Sequence, residues 1–301
     1  MLSVLSPNLQ QFLNGLNRIQ QQTQQAQLEV SSGLKMSQVS DAPDQVSTLL
    51  QARANLAGTQ QILTNLTSTK AETDAGEQAL QSAVTLFDQV QTLATEGAVS
   101  NATPATQATL AQQVGSVLQE IGGLAGTQVE GRYIFSGDSD QTPPYTIDLT
   151  QPNPVSAYQG SASTRVAQHP NGTTFPVALT AQTIFDSADP TTNVFQSIVA
   201  VQSALSANDN TALQTAINGL SKVGSYLNSQ LAFYGTVQDK VAEATDYGST
   251  LQTQLQTQIS GIQDADLTQS ILQLQQGQTQ EQAALETEAQ IPRKTLFDYL
   301  G

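Results

Sequence analysis

The sequence predicts a mainly α protein, an elongated helical bundle with coiled-coil termini and a small β-rich insertion. Three observations predict it. Apolar residues recur at alternating three- and four-residue steps at both chain ends, which is the spacing of a coiled-coil seam. Between the ends, long stretches repeat apolar residues at helical spacing with few breakers. One segment, residues 137–190, gathers most of the prolines and a run of β-formers punctuated by turn residues.

The N-terminal element, residues 1–42, carries its seam on Leu2, Leu5, Leu9, Phe12, Leu16 and Ile19, continues it weakly through Thr23, Ala26 and Val30, and meets Ser31-Ser32-Gly33. Ser37 to Asp44 reads as a loop that launches a new helix, with Pro43 suited to a first helical position and Ser40 or Asp41 near the cap. Residues 43–136 then read as the first part of the bundle. Leu49, Leu56, Leu63, Leu66, Leu80, Val84, Phe87, Val90 and Ala94 share a face up to Ser100; Asn101 to Pro104 break it; and Val114, Val117, Leu118, Ile121 and Leu124 mark a further helix.

In the insertion, residues 137–190, Tyr145, Ile147, Val155, Tyr158, Val166, Phe175, Val177 and Leu179 lie in short runs, and Asn171-Gly172 between two of them predicts a hairpin. Residues 191–260 resume helical spacing near Phe195 and keep it through Leu213, Leu220, Leu227, Tyr234, Val241 and Leu255, as one helix or two in line of about 50 residues. The C-terminal element, residues 261–301, begins a second seam at Leu267, Ile271 and Leu274 and stays apolar at Ile291, Leu296 and Leu300. The order is a palindrome, so the two ends are expected to lie side by side with the insertion at the far tip.

Composition narrows the function. Charged residues are 12% of the chain, about half the usual quarter of a soluble domain. Aromatics are 5% with no Trp, which argues against a bulky compact core. A net charge of −15 argues against a nucleic-acid partner, because phosphate binding needs a basic surface, and it disfavours an anionic membrane surface. Without cysteine there are neither disulfides nor thiolate metal sites. No apolar stretch is long enough to span a bilayer, and Asn8, Gln10 and Gln11 interrupt any signal-peptide core, so no cleaved signal is expected.

Catalytic chemistry finds no support. His169 is the single histidine, flanked by Gln168 and Pro170, with no nucleophile elbow anywhere in the chain, and reads as an exposed loop residue. Asp138, Asp140 and Asp148 lack calcium-loop spacing and read as a solvated loop. Gly122-Gly123 and Gly126 lack the Gly-Lys-Ser/Thr of a phosphate loop and read as a close helix approach or a bend. Neither a cofactor nor a metal is expected. The candidate site is a subunit interface on the terminal seams: Leu2, Leu5, Leu9, Phe12, Leu16, Ile19, Leu267, Ile271, Leu274, Leu296 and Leu300. These seams are expected to pair within one chain and to touch neighbouring chains.

Particular runs carry a family resemblance. Ser31-Ser32-Gly33-Leu34-Lys35 with Ser40-Asp41-Ala42-Pro43, and the ending Ile291 to Leu300, resemble the N-terminal signature and the C-terminal ending of the flagellin family. Gly131-Arg132-Tyr133-Ile134-Phe135-Ser136-Gly137, followed by Thr142-Pro143-Pro144-Tyr145, Tyr158-Gln159-Gly160, Gly172 and Ile184-Phe185, resembles the branch of that family that joins hook to filament rather than filament flagellin, minor or main.

The resemblance covers the whole chain. It implies a non-enzymatic, extracellular component of the bacterial flagellum that leaves the cell through type III export with an export chaperone. It also implies self-assembly into a ring, and contacts with the hook-side junction protein (hook-associated protein 1) and with flagellin. Free terminal seams are expected to be frayed and to order on assembly.

Overall fold

The computed structural model describes residues 7–36, 42–99 and 102–290, without the side chains of residues 7–9, 288 and 290. In chain order the elements are α1 (Pro7–Ser32), α2 (Val46–Gly97), α3 (Pro104–Ala125), β1 (Gln128–Val129), β2 (Arg132–Tyr133), β3 (Val166–Gln168), β4 (Thr174–Pro176), α4 (Ala181–Phe185), α5 (Val194–Ser206), α6 (Asn210–Gln263) and α7 (Leu267–Gln290). The protein is mainly α. Its backbone forms two compact units, one of residues 59–251 and one from the described parts of residues 1–58 and 252–301. The helices α2 and α6 contribute to both.

In the unit of residues 59–251 the helical stripes close on one core. Leu80, Ala83, Phe87 and Val90 of α2 meet Val114, Leu118 and Ile121 of α3, Ile198, Val201 and Leu205 of α5, and Leu213, Leu220 and Leu227 of α6. Fully burying each large apolar side chain contributes about 1.5–3 kcal/mol.

The helix ends follow from caps. Thr103 accepts from the Thr106 N–H at 3.2 Å with Pro104 beginning α3, and Asn193 Oδ1 accepts from the Gln196 N–H at 2.9 Å at the start of α5. The helical reading that ran on from Phe195 is interrupted. Asn208 takes φ +53°, and Asp209 Oδ1 accepts from the N–H groups of Thr211 and Ala212 at 3.0 and 2.9 Å, so α5 stops and α6 starts anew.

Between the helices strand structure is sparse. β1 and β2 pair antiparallel across a two-residue turn in which Glu130 and Gly131 have φ +51° and +76°, the primed geometry that suits the strand twist. This hairpin precedes the expected insertion and was unforeseen. Within residues 137–190 the chain forms the hairpin β3–β4 and a single bridge between Ile147 and Val155, with turns and extended backbone elsewhere. The hairpin alternates as half-buried strands do. Ala167 and Val177 pack with Leu66 of α2 and Val237, Val241 and Ala244 of α6, while Val166, Gln168 and Thr174 face outward.

The few aromatic residues are concentrated rather than scattered, which corrects the expectation that no bulky core forms. Tyr234, Phe135, Phe185, Phe195, Tyr145 and Tyr158 make a continuous chain of ring contacts with centroids 5.1–6.4 Å apart. His169 is also corrected, since it is half-buried with its ring 5.2 Å from that of Tyr247. Gly122 lies against Ile147, whose side chain leaves no room for a Cβ.

One charged cluster ties the strands to α2. Glu72 accepts from Arg165 Nη1 at 2.8 Å and Arg132 Nη2 at 3.2 Å, and Arg165 Nη2 donates to the Ile134 carbonyl at 3.1 Å. Asp140 stands 3.9 Å from Arg132, and Asp148 accepts from Thr150.

Candidate functional site

The terminal seams meet in the second unit, where α1 and α7 pack against each other. On α1, Phe12, Leu16, Ile19, Thr23 and Val30 are half-buried and Ala26 is buried, so the three-and-four spacing becomes one covered face. At its end Ser32 Oγ donates to the Leu28 carbonyl at 2.6 Å and Gly33, at φ +72°, donates to the Glu29 carbonyl at 2.8 Å. That left-handed stop turns the chain so that Lys35 N–H donates to the Gln263 carbonyl at 2.8 Å and Ala265 N–H to the Gly33 carbonyl at 2.9 Å. The Ser-Ser-Gly-Leu-Lys run is thus the clamp between the end of α1 and the segment that joins α6 to α7. Arg53 Nη2 adds a bond to Gln263 Oε1 at 2.7 Å.

α7 starts on Asp266, whose Oδ1 accepts from the N–H groups of Thr268 and Gln269 at 3.0 and 3.1 Å. Its face toward α1 sets small and polar residues around the half-buried Leu274. Ser270 Oγ donates to Glu29 Oε2 at 2.7 Å, Gln20 Nε2 donates to Glu281 Oε1 at 2.9 Å, and Gly277 lies so close to Thr23 that a Cβ would run into its hydroxyl. These three pairs set the two helices antiparallel and fix their register. Ser270 is 2% exposed, and its hydroxyl donates to the Glu29 carboxylate.

The candidate interface residues therefore separate into three groups. Phe12, Leu16, Ile19 and Leu274 are half-buried in this unit. Leu267 and Ile271 are 47% and 45% exposed, alongside exposed Leu13, Leu28, Leu272 and Leu285. Leu2, Leu5, Leu296 and Leu300 lie outside the described residues, as does the side chain of Leu9.

Apolar spacing missed Ser270, Gly277 and Glu281 because none of them is apolar. The signal that could have found Ser270 and Gly277 is the heptad repeat of small residues Ser270, Gly277 and Ala284; nothing in the spacing marks Glu281. On one flank of the pair a cleft of about 590 Å³ is lined by glutamines such as Gln22, Gln25, Gln273 and Gln276 together with the charged Glu29, Lys35, Asp264 and Asp266. The described residues hold no group of three His, Cys, Asp or Glu side chains placed to bind a metal, and no helix long and apolar enough to cross a membrane.

Residues 7–140 match the bacterial flagellin N-terminal helical region and residues 210–300 match the bacterial flagellin C-terminal helical region. No curated protein matches the sequence. Among solved structures, the fold is similar to a Vibrio parahaemolyticus protein described as flagellar hook-associated, at 18% identity and a TM-score of 0.64, covering 74% of this chain and 100% of that one. It is similar to flagellar hook associated protein-3 of Legionella pneumophila, at 10% identity and a TM-score of 0.61, covering 72% and 98%. It is also similar to FlgL of Xanthomonas campestris, at 16% identity and a TM-score of 0.59, covering 70% and 99%. At these identities the likeness is one of fold.

Proposed function

Because the chain belongs to the bacterial flagellin family, we propose that it is a structural component of the flagellum, the hook–filament junction protein known as hook-associated protein 3. It adapts the hook to the filament so that flagellin polymerises onto it. The observation that carries the junction reading is that the fold runs through nearly the whole length of solved hook-associated proteins. In this reading copies of the chain form a ring through the α1–α7 pair, with hook-associated protein 1 on one side and flagellin on the other. The protein is extracellular, is exported with a chaperone, and has no enzymatic role.

The division of the terminal apolar residues supports assembly through this pair. Half-buried Phe12, Leu16 and Ile19 hold the pair together within a chain, and exposed Leu267 and Ile271 remain for neighbours. Burying an exposed Leu or Ile in a neighbour contributes about 1.5–3 kcal/mol, against the entropy of ordering the helices. Insertion of a carboxylate at Phe12 would instead bury an unpaired charge.

Immunogold electron microscopy of intact flagella, with antibody against residues 138–190, tests the reading. A single band of label where hook meets filament is expected. Label along the whole filament would make the protein a flagellin, and a Phe12→Asp variant that still supports normal filaments would remove the seam from the interface.

A further inference from the structure

The chain contains three Asn-Gly pairs, Asn14-Gly15, Asn171-Gly172 and Asn218-Gly219, and all three asparagines are exposed. Such a pair can rearrange without an enzyme when the glycine nitrogen reaches the asparagine side-chain carbonyl. Exposure does not distinguish the three, but backbone freedom does. Asn14 lies within α1 and Asn218 within α6, where the following N–H belongs to a continuous helical ladder and the backbone is held helical on both sides. Asn171 lies in the loop joining β3 to β4, and the Gly172 N–H is restrained by one turn bond, to the His169 carbonyl at 2.9 Å.

The Asn171 side chain is also held ready for attack. Its Oδ1 accepts from the Thr173 N–H at 2.9 Å and from the Thr173 hydroxyl at 2.7 Å. Two donors therefore point at the atom on which negative charge develops when the side-chain carbonyl is attacked. Gly172 has φ +94°, with open space where a Cβ would stand, so no side chain shields the attacking nitrogen.

From these features we infer that Asn171 is a site of spontaneous deamidation, singled out from Asn14 and Asn218 by the hairpin loop. The Gly172 nitrogen gives its proton to water or hydroxide and bonds to Asn171 Cγ. The bond from Cγ to the side-chain nitrogen then breaks, and that nitrogen takes a proton from water and leaves as ammonia. A five-membered succinimide remains. One water molecule opens it at either carbonyl, giving aspartate or isoaspartate, with no change of oxidation state.

Either product adds a negative charge at the hairpin tip, and isoaspartate adds one carbon to the main chain there. The tip is packed, with the His169 ring 5.2 Å from that of Tyr247 and Pro170 lying over Gly248. Isoaspartate therefore loosens the hairpin from α6. The inference goes beyond the junction role and does not depend on it.

The test is peptide mapping by mass spectrometry after the folded full-length chain is held in mildly alkaline buffer, with a urea-unfolded sample in parallel. The Asn171 peptide is expected to convert to aspartate and isoaspartate while the Asn14 and Asn218 peptides stay intact, and all three convert in urea. Thr173→Val is expected to slow conversion several-fold in the folded chain alone. Equal conversion at the three sites in the folded chain overturns the inference, as does an Asn171 that survives folded while the unfolded chain converts. A Thr173→Val chain that converts at the parent rate when folded overturns the part assigned to the hydroxyl.

Discussion

At Gly137 the backbone has φ +61° and faces the carbonyl oxygens of Ser161 and Ser163 so closely that a Cβ would collide with both. Gly137→Ala combines a left-handed strain with that collision and is expected to cost about 3 kcal/mol, read as a lower urea midpoint with an unchanged m-value. The Gly131–Gly137 run is legible in the sequence as a unit, but its reasons are tertiary. Arg132 reaches Glu72, Ile134 and Phe135 enter the core, and Ser136 Oγ donates to the Thr142 carbonyl at 2.8 Å.

Tyr145 and Tyr234 give the protein a pH signature. Burial, then the Asp186 charge beside it, pushes the Tyr145 phenol far above its ordinary range, and burial does the same for Tyr234. Both folded values lie above the unfolded one of about 10, so the unfolded chain loses these protons first. Their stabilisation is present below about pH 10 and is lost as pH rises further. Urea titrations are expected to show level stability up to about pH 9 and a fall above about pH 10, a fall that Tyr145→Phe makes shallower.

At the scale of elements, α1 and α7 differ in what their sequences disclose. The α1 stripe is apolar and its face is readable, because burial and spacing coincide at Phe12, Leu16 and Ile19. The α7 face is Ser270, Leu274, Gly277, Glu281 and Ala284, while the apolar Leu267 and Ile271 that mark its seam in the sequence remain largely open. Close approach, not apolar area, chose the face, and approach distance is invisible to hydrophobic periodicity. Gly277→Val is therefore expected to weaken the pair by about 2 kcal/mol through overpacking against Thr23. Hydrogen exchange checks it: amides of α1 and α7 lose protection, while those of α3 and α5 in the other unit keep theirs.

At the scale of the whole molecule, acidic residues are spread evenly along the chain, and the larger unit carries more of them only because it is longer. Residues 59–251 carry sixteen acidic side chains against five basic ones, so most of the −15 net charge resides there. The proposed role of Ile271 predicts that Ile271→Asp leaves the stability of the free chain within about 0.5 kcal/mol, since the site is open to solvent. The same change is expected to lower incorporation at least tenfold, because an unpaired carboxylate in an interface costs more than about 1.4 kcal/mol. Sedimentation of assembled against free protein, with thermal unfolding as the control, measures both.

The mainly α class, the long helices, the stop between α5 and α6 at Asn208-Asp209, the β3–β4 hairpin at Asn171-Gly172 and the family are written in local properties of the chain: periodicity, turn and cap chemistry, and short signatures. The Glu72–Arg132–Arg165 cluster, the concentration of aromatic rings and the register of α1 on α7 were decided only in the folded molecule. Each of these brings together residues far apart in sequence, which no one-dimensional pattern records.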